Sequence, residues 1–191
     1  MKKIAVIFPG IGYTAQKPLL YYTASAAQDE GYQLLKLDYG EDIHTFRGRK
    51  EEELKPLIEK AQERVKKQLE IIDWGQYEQI LFLSKSIGTV IACWIEKELG
   101  IKAKHCLLTP IPLTIPYLEE VDGLFFAGTK DPYIKKKMIE KAAKDYPQKT
   151  GEIFKDCNHS LERPGHTAAN VKNVKKVVKK LKKMLREPKA D

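Results

Sequence analysis

Short apolar runs alternate with helix-like segments along the whole chain, and this alternation limits the possible folds. The predicted strands are residues 4–8, 33–39, 80–83, 105–108, 124–127 and 152–155. The predicted helices are 18–30, from the end of the polar loop 40–50 to about 74, 87–99, 133–145 and a last helix from 171. Strands that are apolar on both faces and alternate with helices are typical of a parallel sheet covered on both sides. We therefore predict one domain, residues 1–191, folded as a three-layer α/β/α sandwich around a roughly six-stranded parallel sheet.

The cysteine content and the short apolar runs indicate the cellular compartment in which we expect the protein. Three scattered cysteines, Cys93, Cys106 and Cys157, have no paired spacing, which favours a reducing compartment over a disulfide framework or a zinc ribbon. No run approaches the roughly 18 apolar residues of a membrane span. The run 4–8 stops at a Pro-Gly pair, too early for a secretion signal. We expect a cytoplasmic protein with no membrane span.

The formal net charge of +8 is concentrated at the end of the chain. From residue 171 onward, nine basic residues stand against two acidic ones. Apolar residues recur there at three- and four-residue spacing, which predicts an amphipathic helix with a solvated lysine face. We therefore predict no nucleic-acid partner, and a basic docking surface for an anionic partner is the alternative.

The third predicted strand ends in Ser84-Lys85-Ser86-Ile87-Gly88 and runs directly into a helix. A nucleophile on so sharp a turn projects from the sheet edge, and the residues two before and two after it must be small. Ser84 and Gly88 meet that need around Ser86. The Ile87 N–H is then placed to bind an oxyanion. The alternative is a serine that only caps the helix.

An acid and a histidine follow the fifth and sixth strands, at the same edge of a parallel sheet. Asp131 stands in Gly-Thr-Lys-Asp-Pro, and His159 in Asp-Cys-Asn-His-Ser. Asp131 is also placed to cap the helix that follows. His166 is the main rival for the role of base, whereas His105 begins its strand and belongs to the opposite edge.

These residues carry a resemblance to the α/β-hydrolase superfamily over essentially the whole chain. The order Ser86, Asp131, His159 is the order of that superfamily, and residues 84–88 resemble its G-x-S-x-G elbow, with serine at the first position. Residues 8–13 resemble its His-Gly-x-Gly loop, with proline in place of histidine. The resemblance implies a small lidless fold that lacks the two N-terminal strands of larger members.

The resemblance further implies an acyl-enzyme hydrolase that needs no cofactor and no metal. Ser86 is the expected nucleophile, His159 the base and Asp131 the acid that orients it. Ile87 and Ile11 are the expected backbone donors of the oxyanion hole, with Gly12 as the nearest alternative to Ile11. The sequence does not show whether the adjacent Lys85 tunes the nucleophile.

A short, proline-stiffened apolar loop follows the fourth strand, where larger members insert a lid. We expect Ile111 and Leu113 from this loop to line an open cleft opposite Tyr13 and Tyr133, although such residues often only pack on the sheet rim. The cleft suits a small-molecule ester or thioester, with amides left open. Loop 44–49 is placed to add a cation for an acidic substrate. Nothing in the sequence fixes the oligomeric state.

Two other classes of protein remain open. Gly10-Ile11-Gly12-Tyr13-Thr14-Ala15 fits the G-x-G-x-x-A dinucleotide fingerprint, and Asp38 follows at a suitable distance. In such a turn the helix begins near the second glycine, which would place Pro18 inside the helix at a cost of about 3 kcal/mol. In the hydrolase hypothesis Pro18 opens the helix instead. The other possibility is a non-catalytic binding protein with the same fold.

Overall fold

The computed structural model describes residues 2–40 and 51–187, with the side chains of residues 51–53 left out. The strands are β1 (Lys2–Phe8), β2 (Gln33–Lys36), β3 (Tyr77–Lys85), β4 (Lys104–Leu108), β5 (Asp122–Gly128) and β6 (Thr150–Phe154). The helices are α1 (Pro18–Asp29), α2 (Glu51–Leu69), α3 (Ile87–Leu99), α4 (Lys136–Asp145) and α5 (Thr167–Arg186). Short 3₁₀ helices cover Trp74–Gln76, Pro112–Glu119 and Pro147–Lys149.

Within the described residues, the sheet has six strands in the order β2-β1-β3-β4-β5-β6. Every neighbouring pair is parallel. The prediction of a roughly six-stranded parallel sheet is therefore confirmed. Because all strands run the same way, their carboxyl ends and the loops that follow them share one edge of the sheet.

Helices cover both faces of the sheet and bury two main apolar clusters. On one face α1 and α5 pack over residues such as Ile7, Leu83 and Phe126. On the other face α2 and α3 pack over Val6 and Phe82, and α4 extends this layer across β5. Burial on both faces explains why the strand sequences are apolar without alternation. No helix in the described ranges has the length and apolar character needed to cross a bilayer.

Most predicted elements agree with the structure to within a few residues, and the larger differences have local causes. Strand β2 ends at Lys36 rather than at residue 39, because Asp38 instead exchanges backbone hydrogen bonds with the Gln68 side chain. Helix α2 contains Pro56 and ends at Leu69 rather than near residue 74. There the Trp74 indole donates a 3.2 Å hydrogen bond to the Leu69 carbonyl. The segment after β4, predicted as a loop, contains the Pro112–Glu119 3₁₀ helix.

Candidate active site

Ser86, Asp131 and His159 lie together at the carboxyl edge of the sheet, joined by two short hydrogen bonds. His159 Nδ1 lies 2.6 Å from Asp131 Oδ2, and His159 Nε2 lies 2.8 Å from Ser86 Oγ. A carboxylate only accepts, so Nδ1–H donates to Asp131 and the neutral ring leaves Nε2 free to accept from the serine hydroxyl. The sequence places these three residues at three separate strand ends, and the fold brings them into contact.

Ser86 sits on a strained strand-to-helix turn. Its backbone has φ 56° and ψ −122°, a region that residues with a side chain rarely adopt. The Ser86 N–H donates a 3.0 Å hydrogen bond to the Leu108 carbonyl, and the next residue, Ile87, begins α3. Ser86 makes no side-chain capping bond to this helix. The turn therefore leaves the hydroxyl free to face His159, and the simple helix-cap interpretation is wrong.

Small residues around Ser86 allow the turn to close. A Cβ added to Gly88 would lie 2.3 Å from the Phe8 carbonyl oxygen, so the start of α3 packs directly on the end of β1. Gly10 packs on Ser86 itself, and a Cβ there would lie 3.1 Å from Ser86 Cβ. Ser84 is fully buried, and its hydroxyl donates to the Cys106 carbonyl at 3.4 Å. Ser84 is thus turned away from the site.

The loop after β5 holds the acid in a fixed position. Asp131 is 7% exposed, and its Oδ1 accepts a 2.9 Å hydrogen bond from the Tyr133 N–H. Helix α4 begins only at Lys136, three residues later than predicted, because this turn and Pro132 precede it. Asp131 therefore does not cap α4. Its other carboxylate oxygen is left to accept from His159.

Two residues beside the predicted site, whose own roles the sequence did not predict, shape the histidine loop. The Asn158 side-chain oxygen accepts hydrogen bonds from the N–H groups of Ser160, at 2.8 Å, and Glu162, at 3.1 Å. The Thr129 hydroxyl accepts a 2.8 Å hydrogen bond from the Asp156 N–H, which ties this loop to the acid loop. Asparagine commonly closes a turn with its own side chain. An Asn directly before the histidine is therefore the sequence signal that could have found this loop.

The electrostatic environment disfavours protonation of His159. Burial lowers the pKa of His159 below 6.5, and the hydrogen bond to Asp131 offsets part of this effect. His166 is exposed at the start of α5, away from these hydrogen bonds. His105 is buried beside Glu96, with Nε2 at 2.9 Å from the carboxylate. In the part of the chain that the structure describes, neither rival is joined to Ser86 by a hydrogen bond.

The loop after β1 forms a tight turn against Ser86. Gly10 and Tyr13 exchange two backbone hydrogen bonds of 3.1 Å, which leaves Ile11 and Gly12 at the tip. Gly12 has φ 64°, the left-handed conformation that glycine tolerates. The Ile87 N–H belongs to the first turn of α3 and has no acceptor within its own helix. The two expected oxyanion donors thus belong to the two segments that pack around Ser86.

The four expected substrate-binding residues differ in the solvent exposure of their side chains. Tyr133 is 47% exposed, with its ring centroid 4.7 Å from the imidazole of His159. Tyr13 is half-buried beside the nucleophile turn, and Leu113 is half-buried on the sheet rim. Ile111 is only 5% exposed and packs in the core, so this side chain stabilises the rim. Loop 44–49 lies outside the described residues.

A cavity of about 200 Å³ lies between the ends of β1 and β2 and the segment before α1. It is lined by apolar residues, by the polar side chains of Thr14, Gln16, Lys36 and Asp38, and by Gly10. Gly10 also packs on Ser86, but Ser86, Asp131 and His159 do not themselves line the cavity. This is also the position of the dinucleotide fingerprint. Helix α1, however, begins at Pro18, so no helix N-terminus follows the glycine turn directly.

Solved structures that resemble this one over most of their length include hydrolases and esterases. A serine hydrolase homologue from Coxiella burnetii matches with a TM-score of 0.63 and 13% identity, over 93% of this chain and 84% of that one. The esterase Pf2001 from Pyrococcus furiosus matches with a TM-score of 0.59 and 13% identity, over 96% and 84%. Est1E from Butyrivibrio proteoclasticus matches with a TM-score of 0.64 and 11% identity, over 97% and 89%.

The fold of this chain is therefore the α/β-hydrolase fold, as the sequence resemblance predicted. The likeness is one of structure rather than of sequence, since the identities are low. No protein-family model matches the sequence. No curated protein matches it either.

Proposed function

We propose that this protein is a serine hydrolase that cleaves a small ester or thioester through an acyl-enzyme on Ser86. The observation that carries the proposal is the continuous hydrogen-bonded chain from Asp131 through His159 to Ser86, with distances of 2.6 and 2.8 Å. A serine with a base in hydrogen-bond reach, and a base oriented by a buried acid, is the arrangement that activates a hydroxyl for acyl transfer. The strained backbone of Ser86 further supports it.

The reaction follows from the position of each group. His159 Nε2 takes the proton of Ser86 Oγ as the oxygen attacks the carbonyl carbon, and Asp131 stabilises the imidazolium that forms. The N–H groups of Ile87 and Ile11 receive the oxyanion, where one such donor contributes about 10²–10³ in rate. His159 then gives its proton to the leaving group. Water attacks the acyl-enzyme with His159 again as base, which releases the acid and restores the serine.

The surroundings of the nucleophile support a substrate of modest size. The cavity beside Gly10 holds about 200 Å³, below the roughly 300–1,000 Å³ of pockets for drug-sized ligands. Tyr133 offers an exposed aromatic surface beside His159. Both features favour a short acyl or alcohol group over a long lipid chain.

The two alternative functions have less support. A dinucleotide needs the glycine turn to lead into a helix N-terminus, and here the segment between Gly12 and Pro18 intervenes. A cavity of about 200 Å³ also holds only part of a dinucleotide. A non-catalytic binding protein does not account for an imidazole held between a hydroxyl and a carboxylate.

Labelling with a fluorophosphonate probe, together with hydrolysis of short p-nitrophenyl esters and thioesters, tests the proposal. We expect the wild type to label and to turn over, and Ser86→Ala and His159→Ala to do neither. Ser84→Ala and His166→Ala are the matched controls, because they remove the same side chains outside the hydrogen-bonded chain, and both are expected to stay active. A folded wild type that is inert to probe and esters would overturn the proposal, and titration with nucleotides would follow.

A further inference from the structure

The buried side chain of Lys85 is a charged group that the mechanism above does not use. Lys85 directly precedes the nucleophile, and its exposed fraction is 0%. Its Nζ makes no hydrogen bond within the described residues. An unpaired amine removed from water destabilises the folded state, so packing alone does not account for a lysine at this position.

The structure shows what surrounds this amine. Lys85 Nζ lies 4.8 Å from the ring centroid of Tyr13, a cation–π geometry that favours the ammonium form. The Tyr13 hydroxyl oxygen accepts a 3.0 Å hydrogen bond from the Leu19 N–H, which fixes the ring. Burial raises the pKa of Tyr13 to about 12, so the phenol stays neutral and provides a ring face rather than a counter-ion.

The charged and titratable groups around Lys85 and His159 come from three loops. Tyr13 follows β1, Asp131 and Tyr133 follow β5, and Glu162 lies in the histidine loop, where its charge acts on Tyr13. The Asp131 charge favours the ammonium form of Lys85. The Lys85 charge in turn acts on His159. The charge of the one buried carboxylate, Asp131, therefore acts on both Lys85 and His159.

We propose that Lys85 is a positioning residue that acts through His159: its buried ammonium, held against the Tyr13 ring beside the nucleophile, opposes a second proton on the imidazole and so keeps His159 available as the base. The inference rests on the proposed function, in which an unprotonated His159 is required. It assigns a role to a residue whose amine makes no hydrogen bond within the described residues.

The electrostatic coupling between the two groups supports this role. Burial lowers the pKa of Lys85 to about 7, against the partial opposition of Asp131. Burial also lowers the pKa of His159 below 6.5, and the Lys85 charge lowers it further. Wherever Lys85 carries its proton, its charge opposes protonation of the imidazole. The proton affinity of Lys85 thus protects the base on the acidic side of neutrality.

The test compares wild type with Lys85→Met, which keeps an unbranched side chain, one atom shorter, and removes the charge. The readouts are the NMR titration midpoint of the His159 imidazole and the pH profile of fluorophosphonate labelling. We expect the midpoint in Lys85→Met to rise by about 0.5 pH units or more, because a nearby like charge has been removed. The acid limb of the labelling profile should move to higher pH by the same amount. The labelling rate of Lys85→Met at pH 6, relative to its rate at pH 8.5, should therefore be about two- to threefold lower than that of wild type.

Lys130→Met is the matched control, since Lys130 also directly precedes one of the three residues but its side chain is 70% exposed, near Asp156. The charge of Lys130 is screened by solvent, so the titration midpoint of His159 in Lys130→Met should equal that in wild type. Lys85→Gln repeats the test if Lys85→Met does not fold. The His159 signal is identified by its loss in His159→Ala.

An unchanged or lowered midpoint in both Lys85 variants would overturn the inference. The NMR titration needs no turnover, so its result stands even if the probe never labels the wild type. Absence of labelling would count against the proposed function alone. A shifted midpoint with an unshifted acid limb would show that His159 does not limit the rate, which also contradicts the role assigned to Lys85.

Discussion

Gly88 in the first turn of α3 packs directly on the carbonyl group of Phe8 at the end of β1. A Cβ atom on Gly88 would lie 2.3 Å from that oxygen and 2.6 Å from the carbonyl oxygen of Pro9. Both neighbours are backbone atoms, which cannot swing aside as a flexible side chain does. This contact fixes the turn at Ser86 against the turn from Gly10 to Tyr13, since the segment that follows Phe8 leads to Gly10.

We therefore expect Gly88→Ala to damage both stability and activity. Overpacking costs about 1–3 kcal/mol, and relief of the clash would push α3 and Ser86 away from the turn that holds Ile11. The free energy of unfolding, from urea titration, and the labelling rate of the folded fraction measure the two effects. Gly75→Ala is the control, because its nearest contact is the Asp73 carboxylate at 3.3 Å. Equal stability of the two variants would contradict the packing argument.

Substitution of Asp131 by asparagine tests whether the carboxylate is needed to orient the His159 imidazole. The new side chain would retain the shape of the old one, but its amide can direct an N–H at His159 and select the wrong tautomer. We expect kcat to fall by about 10⁴, as for loss of the orienting acid in serine proteases. Asp156→Asn is the control, because Asp156 has φ 58°, which asparagine tolerates well, and no hydrogen bond to His159. A loss of less than tenfold in Asp131→Asn would contradict this role.

Tyr133 packs edge-on against His159, with ring centroids 4.7 Å apart, while nearly half of its surface stays exposed. We expect Tyr133→Ala to lower kcat/KM by up to about tenfold, since an aromatic pair contributes about 0.5–1.5 kcal/mol and holds the imidazole in place. Tyr133→Phe keeps the ring and should stay within about twofold of wild type. Steady-state kinetics on a short ester measures both. A larger effect from the phenylalanine variant than from the alanine variant would assign the role to the hydroxyl instead.

Sequence reasoning locates the three hydrogen-bonded residues because each follows a strand, and parallel strands deliver their carboxyl ends to one edge. Pro18 is equally informative, since its fixed φ and missing N–H suit the first position of a helix, where the structure has it. Tertiary contacts decide what the sequence cannot. The sequence assigns Ile111 to a substrate cleft, but this side chain packs in the core, because hydrophobicity alone cannot distinguish a cleft wall from a rim.

The burial of Lys85 is a second feature that the residue type alone does not predict. Lysine side chains are rarely buried, so the residue type alone suggests an exposed side chain at position 85. The period of the strand gives the opposite answer, because Leu81 and Leu83 face the α1 and α5 layer and Lys85 continues that row. Its burial follows from the register of β3, and its unpaired amine follows from the closure of three loops that come from distant parts of the chain.

The buried amine should also make stability depend on pH. The pKa of Lys85 falls from 10.5 to about 7 on folding, so between these values the unfolded chain binds one proton more than the folded protein. Stability gained from the neutral amine is therefore present above pH 10.5 and is lost as the pH falls towards 7. At about 1.4 kcal/mol per pH unit, the full change is on the order of 5 kcal/mol.

Denaturant unfolding of wild type and Lys85→Met between pH 6.5 and 10 measures this dependence. We expect Lys85→Met to be the more stable protein near pH 7, and its advantage to shrink as the pH rises. The ionisation of tyrosines and cysteines at high pH is common to both proteins, so it cancels in the difference. Lys130→Met should follow wild type across the range, because its ammonium stays in solvent. An advantage of Lys85→Met that does not vary with pH would mean that the Lys85 amine keeps its proton in the folded protein throughout this range.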